Sequence, residues 1–231
     1  MNGKLRVKAL LAAVAAAAAL GFLSGCSALD VIGKTAVTTY RALLEVVPDG
    51  PGLDGSTGRF YVQSPGGERF EWSADFSGSG PDFLISLDAA PFLEAGLEPE
   101  RLPGARYALD PSMRRLSLAF EAGDKRFAYK GEPSPLEGFQ KIVESYRPLV
   151  GYHEALDHYG LALGDGNMFE WAKDLSKNDK DMVFVLNPEP LLAAGVDPAK
   201  VQGWAFAKVE VKDSAGAMMQ VDKFLKPYEL R

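Results

Sequence analysis

Two histidines stand five residues apart in His153-Glu154-Ala155-Leu156-Asp157-His158, and they are the only two in the chain. Imidazole and carboxylate side chains are the natural ligands of zinc and the usual carriers of protons near neutral pH. On a helix, His153 would meet Asp157 and Glu154 would meet His158, each four residues on. The order is not the His-Glu-x-x-His of zinc peptidases, because Asp157 takes the place of the second histidine. The stretch reads instead as a linker entering a strand, so His153, Asp157 and His158 are weak metal candidates.

A second set of oxygen-bearing residues occurs twice. Arg69 to Gly104 and Met168 to Gly203 align without a gap, every position matched 99 residues later. Phe70-Glu71-Trp72 matches Phe169-Glu170-Trp171, and Asp75, Ser77 and Asp82 match Asp174, Ser176 and Asp181. Such self-similarity marks an internal duplication. Glu71 and Glu170 lie between apolar neighbours on a strand pattern and face away from them, where a carboxylate either binds something or pairs with a cross-strand cation. Asp174-x-Ser176-x-Asn178 has the oxygen spacing of a calcium loop. An EF-hand closes with a glutamate at its twelfth position, however, and Ser86 or Val185 stands there. These eight residues are candidates for a weak ligand or calcium site, with an ordinary Asx turn as the competing explanation.

Other chemistry has no carrier. The one cysteine, Cys26, lies at the N-terminal end. There is no Gly-x-Ser-x-Gly elbow, no Gly-x-Gly-x-x-Gly and no phosphate-binding loop of the Walker type. No cofactor and no catalytic residue is expected. The formal net charge of −6 disfavours nucleic acid as a partner.

The elements that carry these residues can be read in order. Ser27 to Val47 has helical apolar spacing and stops at Pro48-Asp49-Gly50. Strands are expected over 59–63, 69–76, 83–87, 106–109, 115–121 and 126–130. Asp88 and Asn187 cap short helices that begin with Pro91 and Pro190 in or near the first turn and end at Gly96 and Gly195. Ser134-Pro135-Leu136-Glu137 is a capping box that opens a helix ending by Pro148. Tyr146-Arg147-Pro148-Leu149 echoes Tyr40-Arg41-Ala42-Leu43, so this helix opens the second copy. Strands follow at 156–163, 168–175, 182–186 and 204–212, and Ala217 to Leu225 is expected to close the chain as a helix.

The first 25 residues have another purpose. Lys4, Arg6 and Lys8 precede an apolar run from Ala9 to Leu20, as in a secretory signal, and the run is short for a membrane span. Leu23-Ser24-Gly25-Cys26 follows at once and resembles the lipobox of bacterial lipoproteins. The resemblance implies that Cys26 becomes the N-terminus, carries the lipid and leaves no free thiol. Ser27 in the next position resembles the outer-membrane choice, if the organism is Gram-negative.

The expected fold class is α+β: two tandem repeats, each an antiparallel sheet with amphipathic helices packed on one face. The expected boundaries are a signal peptide at 1–25, a first repeat at 26–133 and a second at 134–231. The expected function is that of an exported, membrane-anchored, non-catalytic protein, held by the lipid on Cys26, with a structural role in the envelope or a role in binding an envelope protein. Carriage of a lipid or other apolar ligand between sheet and helices is the first alternative, and hydrolysis of an envelope polymer is the second.

Overall fold

A computed structural model describes residues 26–74, 80–121, 134–145, 149–153, 156–176, 180–212 and 217–230. The signal segment, the strand expected at 126–130, and Asp75 and Ser77 lie outside the described residues. The chain starts with helix α1 (Cys26–Val46). It continues through β1 (Gly52–Asp54), β2 (Arg59–Gln63), β3 (Arg69–Ser73) and β4 (Phe83–Asp88) into the short helix α2 (Ala90–Glu94). A 3-10 turn (Pro99–Arg101), β5 (Tyr107–Asp110) and β6 (Arg115–Phe120) complete the first half. The second half repeats the plan with α3 (Pro135–Ser145), β7 (Val150–His153), β8 (His158–Gly164), β9 (Asn167–Ala172), β10 (Met182–Leu186), α4 (Glu189–Ala193), β11 (Ala205–Lys212) and β12 (Met218–Tyr228).

The strands form two six-stranded sheets, ordered β1-β2-β3-β4-β6-β5 and β11-β12-β10-β9-β8-β7, antiparallel throughout. This overturns the expected α+β arrangement. Among the described residues no helical layer covers one face of each sheet. The sheets instead bury their apolar faces in a single core, and so need no helices to cover them. Phe70 of β3 stacks on Phe169 of β9 with ring centroids 4.5 Å apart. The two long helices pair with each other at one end of this core, close enough that a Cβ on Gly33 would stand 3.2 Å from Val143. Tyr40 of α1 stacks on Phe139 of α3 at 3.7 Å, and both rings meet Trp72 and Trp171 edge-on. The helices therefore correspond at the same 99-residue offset as the strands, through Tyr40 and Phe139 rather than through Tyr146.

The two copies touch reciprocally. Glu98 N donates to Ala194 O and Asp197 N donates to Ala95 O, each at 2.8 Å. Between them Gly96 and Gly195 face one another with φ of 101° and 96°. A Cβ on Gly195 would sit 2.8 Å from Gly96 O, and one on Gly96 would sit 3.0 Å from Gly195 O. Left-handed backbone and lack of space both demand glycine here. At the helix starts, Ser134 and Glu137 exchange the two bonds of the expected capping box. Asp88 Oδ1 accepts from Ala90 N at 3.0 Å and Asn187 Oδ1 from Glu189 N at 3.2 Å. Each does so from one residue before the cap itself, which is Ala89 in α2 and Pro188 in α4.

The closing helix expected at Ala217–Leu225 is instead part of β12. Its Ala, Met, Gln, Lys and Leu content favours helix, yet β12 pairs with β11 along eight positions and with β10 along five. Long-range pairing outweighs the modest helix propensity of such residues. Two strands expected as loop or linker, β1 and β7, also join the sheets. Among the described residues no helix is long and apolar enough to cross a membrane.

Candidate functional site

Phe169 and Trp171 point into the core, so Glu170 between them points to the opposite face of its sheet. The register does the rest. His153 lies opposite His158 across β7 and β8, His158 lies opposite Ala172, and Gly160 lies opposite Glu170. Both histidines therefore share a face with Glu170. His153 Nδ1 is 2.9 Å from Glu170 Oε1, and His158 Nδ1 is 3.5 Å from Oε2. All three residues are buried. Gly160 makes room for the arrangement, since a Cβ there would stand 3.3 Å from Glu170 Cγ and 3.2 Å from Met168 Cε.

Burial alone would raise the pKa of Glu170, but the hydrogen bond and charge of His153, with His158 close by, overcome it and lower the value to about 2. For His153, burial pushes down, and the hydrogen bond and charge of Glu170 push up further, so its pKa is raised. The favoured state is an anionic Glu170 beside a protonated His153. Nε2 of His153 is buried without a hydrogen-bond partner. The cluster can hold a proton out of contact with water and tie β7 and β8 to β9.

The first copy puts different side chains at the same places. Asp54 lies opposite Arg59, and Tyr61 lies opposite Glu71. Each of Asp54, Arg59, Tyr61 and Glu71 stands 99 residues before His153, His158, Gly160 and Glu170. Arg59 Nε is 3.9 Å from Glu71 Oε2, too long for a hydrogen bond, while Arg59 Nη1 donates to Pro81 O at 2.7 Å. Burial raises the pKa of Glu71, and the charges of Arg59 and Arg69 offset only part of that. Asp54 is taken up by its own turn, where Oδ1 accepts from Ser56 N and Oγ.

The remaining candidates are dispersed. The inner faces of β3 and β9 meet, so Glu71 and Glu170 point to opposite sides of the molecule. Asp174 Oδ1 accepts from Ser176 N at 3.0 Å and from its Oγ at 2.6 Å, an Asx turn. Asp82 is buried, and its carbonyl accepts from Ser73 N at 3.0 Å. Asp181 is fully buried, and its Oδ2 accepts from Leu230 N at 2.8 Å, which fastens the end of the chain. Asp157 is separated from the histidines and accepts from Tyr152 OH at 2.5 Å. Among the described residues, no three His, Cys, Asp or Glu side chains are placed to share a metal ion.

Sequence reasoning missed a clasp between the sheets. Glu68, buried just before β3, accepts from Lys226 Nζ at 2.5 Å, from Ser64 Oγ at 2.7 Å and from Tyr228 OH. Lys226 and Tyr228 belong to β12, whose first part was expected as a helix, which hid the pair. For the histidine cluster one signal was present: the offset that matches Glu71 to Glu170 also matches Arg59 to His158.

No protein-family model matches the chain, no curated protein is similar to it in sequence, and no solved structure matches it in fold.

Proposed function

We propose that the chain is an exported, lipid-anchored and non-catalytic protein of the cell envelope that works by binding another protein. The carrying observation is the position of Cys26. It is the one cysteine of the chain, it follows a basic and then apolar leader, and it opens α1. Because α1 runs from that residue straight into the aromatic core, an acyl chain on Cys26 would hold the sheets close to the membrane surface.

The interior supports binding by surface rather than by cavity. The space between helices and sheets, where an apolar ligand would lie, is filled by Tyr40, Phe139, Trp72 and Trp171. The groove outside α1 and α3, about 320 Å³, is lined by Lys34, Thr38, Gln140 and Glu144 as well as Val37 and Val143, a mixed lining for a lipid. Glu71 and Glu170, aimed to opposite sides of the molecule, do not converge on one cleft as the carboxylate pair of a glycoside hydrolase does.

Metabolic labelling with a radiolabelled fatty acid tests the anchor. The wild-type chain takes up label and fractionates with membranes, and a Cys26→Ala variant does neither. Acylation of that variant would overturn the reading. Native mass spectrometry with organic extraction tests the carrier alternative, and a stoichiometric lipid adduct would displace the protein-binding reading.

A further inference from the structure

The second copy carries a hairpin that the first does not match in length. β5 and β6 run four and six residues, whereas β11 and β12 run eight and eleven. Only Phe224 to Tyr228 of β12 pair with β10. Met218 to Lys223 pair with β11 alone, so the hairpin projects past the sheet as a two-stranded ribbon. Its outer strand, β11, is an edge of the sheet. Met218 and Met219 on the ribbon are about half exposed, at 48 % and 47 %. An edge of this length, with unpaired backbone donors and acceptors, is a template for another strand.

We propose that this edge pairs with the same edge of a second copy, antiparallel and two-fold symmetric about Val209. Two of the three charges along β11 are self-complementary in that register, and the third, Lys212, falls opposite Phe206. With Val209 opposite its own image, Lys208 of one chain falls opposite Glu210 of the other, and symmetry makes the pair twice. In an antiparallel ladder such directly opposed side chains lie on one face and within reach of each other. Lys208 is exposed and lies 3.0 Å from Asp222 of its own chain, while Glu210, opposite Gln220, has no ion pair among the described residues. A lone edge lysine would repel a second strand, and Glu210 two residues later turns that repulsion into a match. On the other face, Val209 sits in a small apolar cluster with Val183, Val185 and Leu225, which the two-fold would extend across both chains. The interface is isologous, and it closes as a dimer rather than a fibre. It does not depend on the acyl anchor.

Charge exchange tests the pairing on the full chain in detergent, by sedimentation over a range of concentrations. The wild type is expected to show a concentration-dependent monomer–dimer equilibrium. Glu210→Lys places two like-charge pairs across the axis and is expected to weaken dimerisation about ten-fold. Lys208→Glu is expected to do the same, and the double variant Lys208→Glu/Glu210→Lys to restore dimerisation to within about three-fold of wild type. In the double variant the carboxylate introduced at position 208 still faces Asp222 within one chain, so its recovery reports on contact between chains rather than on folding. A wild type that stays monomeric at every concentration would overturn the proposal. So would a dimer on which the single and double variants act alike.

Discussion

Glu71 and Glu170 occupy the same position in two copies of one repeat, between the same two aromatic residues, and their ionisation is shifted in opposite directions. Glu170 sits 2.9 Å from His153, with Gly160 opposite it, and its pKa falls to about 2. Glu71 sits 3.9 Å from Arg59, with Tyr61 opposite it, and its pKa is raised. Burial disfavours both anions. What separates them is whether a donor comes within hydrogen-bond range. An arginine nearby is not enough when its guanidinium is drawn off to Pro81 O. Along the contact between the copies the reverse holds. Phe70 and Phe169, Trp72 and Trp171, and Gly96 and Gly195 are identical and touch each other or the same helices. Residues that meet across the pseudo-two-fold are constrained by their own images, and residues facing outward are free to diverge.

The largest effect is expected where divergence built a buried charge cluster. Glu170→Ala removes the one carboxylate that His153 and His158 share. Taking away one partner of a buried ion pair costs about 3–5 kcal/mol. Because the His153 imidazole can shed its proton once the carboxylate is gone, the lower end of that range is expected. Urea unfolding at pH 6 measures it. A loss below about 1 kcal/mol would mean that the cluster is no more coupled than its counterpart around Glu71.

The next effect belongs to the part that did not diverge. Gly195→Ala must place a Cβ 2.8 Å from Gly96 O on a backbone with φ near 96°. Left-handed strain together with the clash gives a loss of about 2–3 kcal/mol. Gly96→Ala should cost nearly as much, since its contact is the mirror of the first. Thermal unfolding of the pair sharpens the comparison. Unequal losses would show that one copy yields at this contact and the other does not.

These two sites also show what could be read from the chain. Gly96 and Gly195 were legible as helix ends because a left-handed exit is a local demand. That they press on each other was not, since it depends on how the copies meet. The capping box at Ser134 and Glu137 was legible for the same local reason. The histidine cluster was missed because β7 is four residues long and holds a glycine, too short and weak a pattern to separate from a linker. The closing strand was misread because β12 alternates imperfectly and is rich in helix formers. One of its two pairing partners, β10, is separated from it by α4 and β11, so no local pattern announces the contact. With Ala217–Leu225 read as a helix, no strand was expected to carry Lys226 and Tyr228 to Glu68.

A smaller effect separates the copies by pH. The raised pKa of His153 adds stability that is complete below its ordinary value of 6.5 and is lost as pH rises through the raised value. The lowered pKa of Glu170 adds stability that is complete above 4.5 and is lost as pH falls toward 2. Both contributions are whole only between about pH 4.5 and 6.5. Relative to wild type, His153→Gln should be most destabilised in that window, and the difference should shrink by pH 9. A difference that stays constant from pH 5 to pH 9 would mean that His153 acts by shape alone.

The smallest effect is expected at Glu71, and its sign is the sharpest discriminator. A carboxylate whose pKa is raised on folding binds more protons in the native state, so stability falls as pH climbs from the ordinary 4.5 through the raised value. Glu71→Gln keeps the shape and removes that titration. Near pH 4 the variant should lie within about 0.5 kcal/mol of wild type, because Glu71 is then largely protonated and Gln resembles it. As pH rises to 7 the variant should gain on wild type. Glu170→Gln should lose ground over the rise from pH 2 to pH 4.5, where Glu170 is more ionised in the folded chain than in the unfolded one. Chemical unfolding of both variants across this range reads the two slopes. If they share a sign, Arg59 supports Glu71 as closely as His153 supports Glu170, and the two copies differ in residue type without differing in electrostatics.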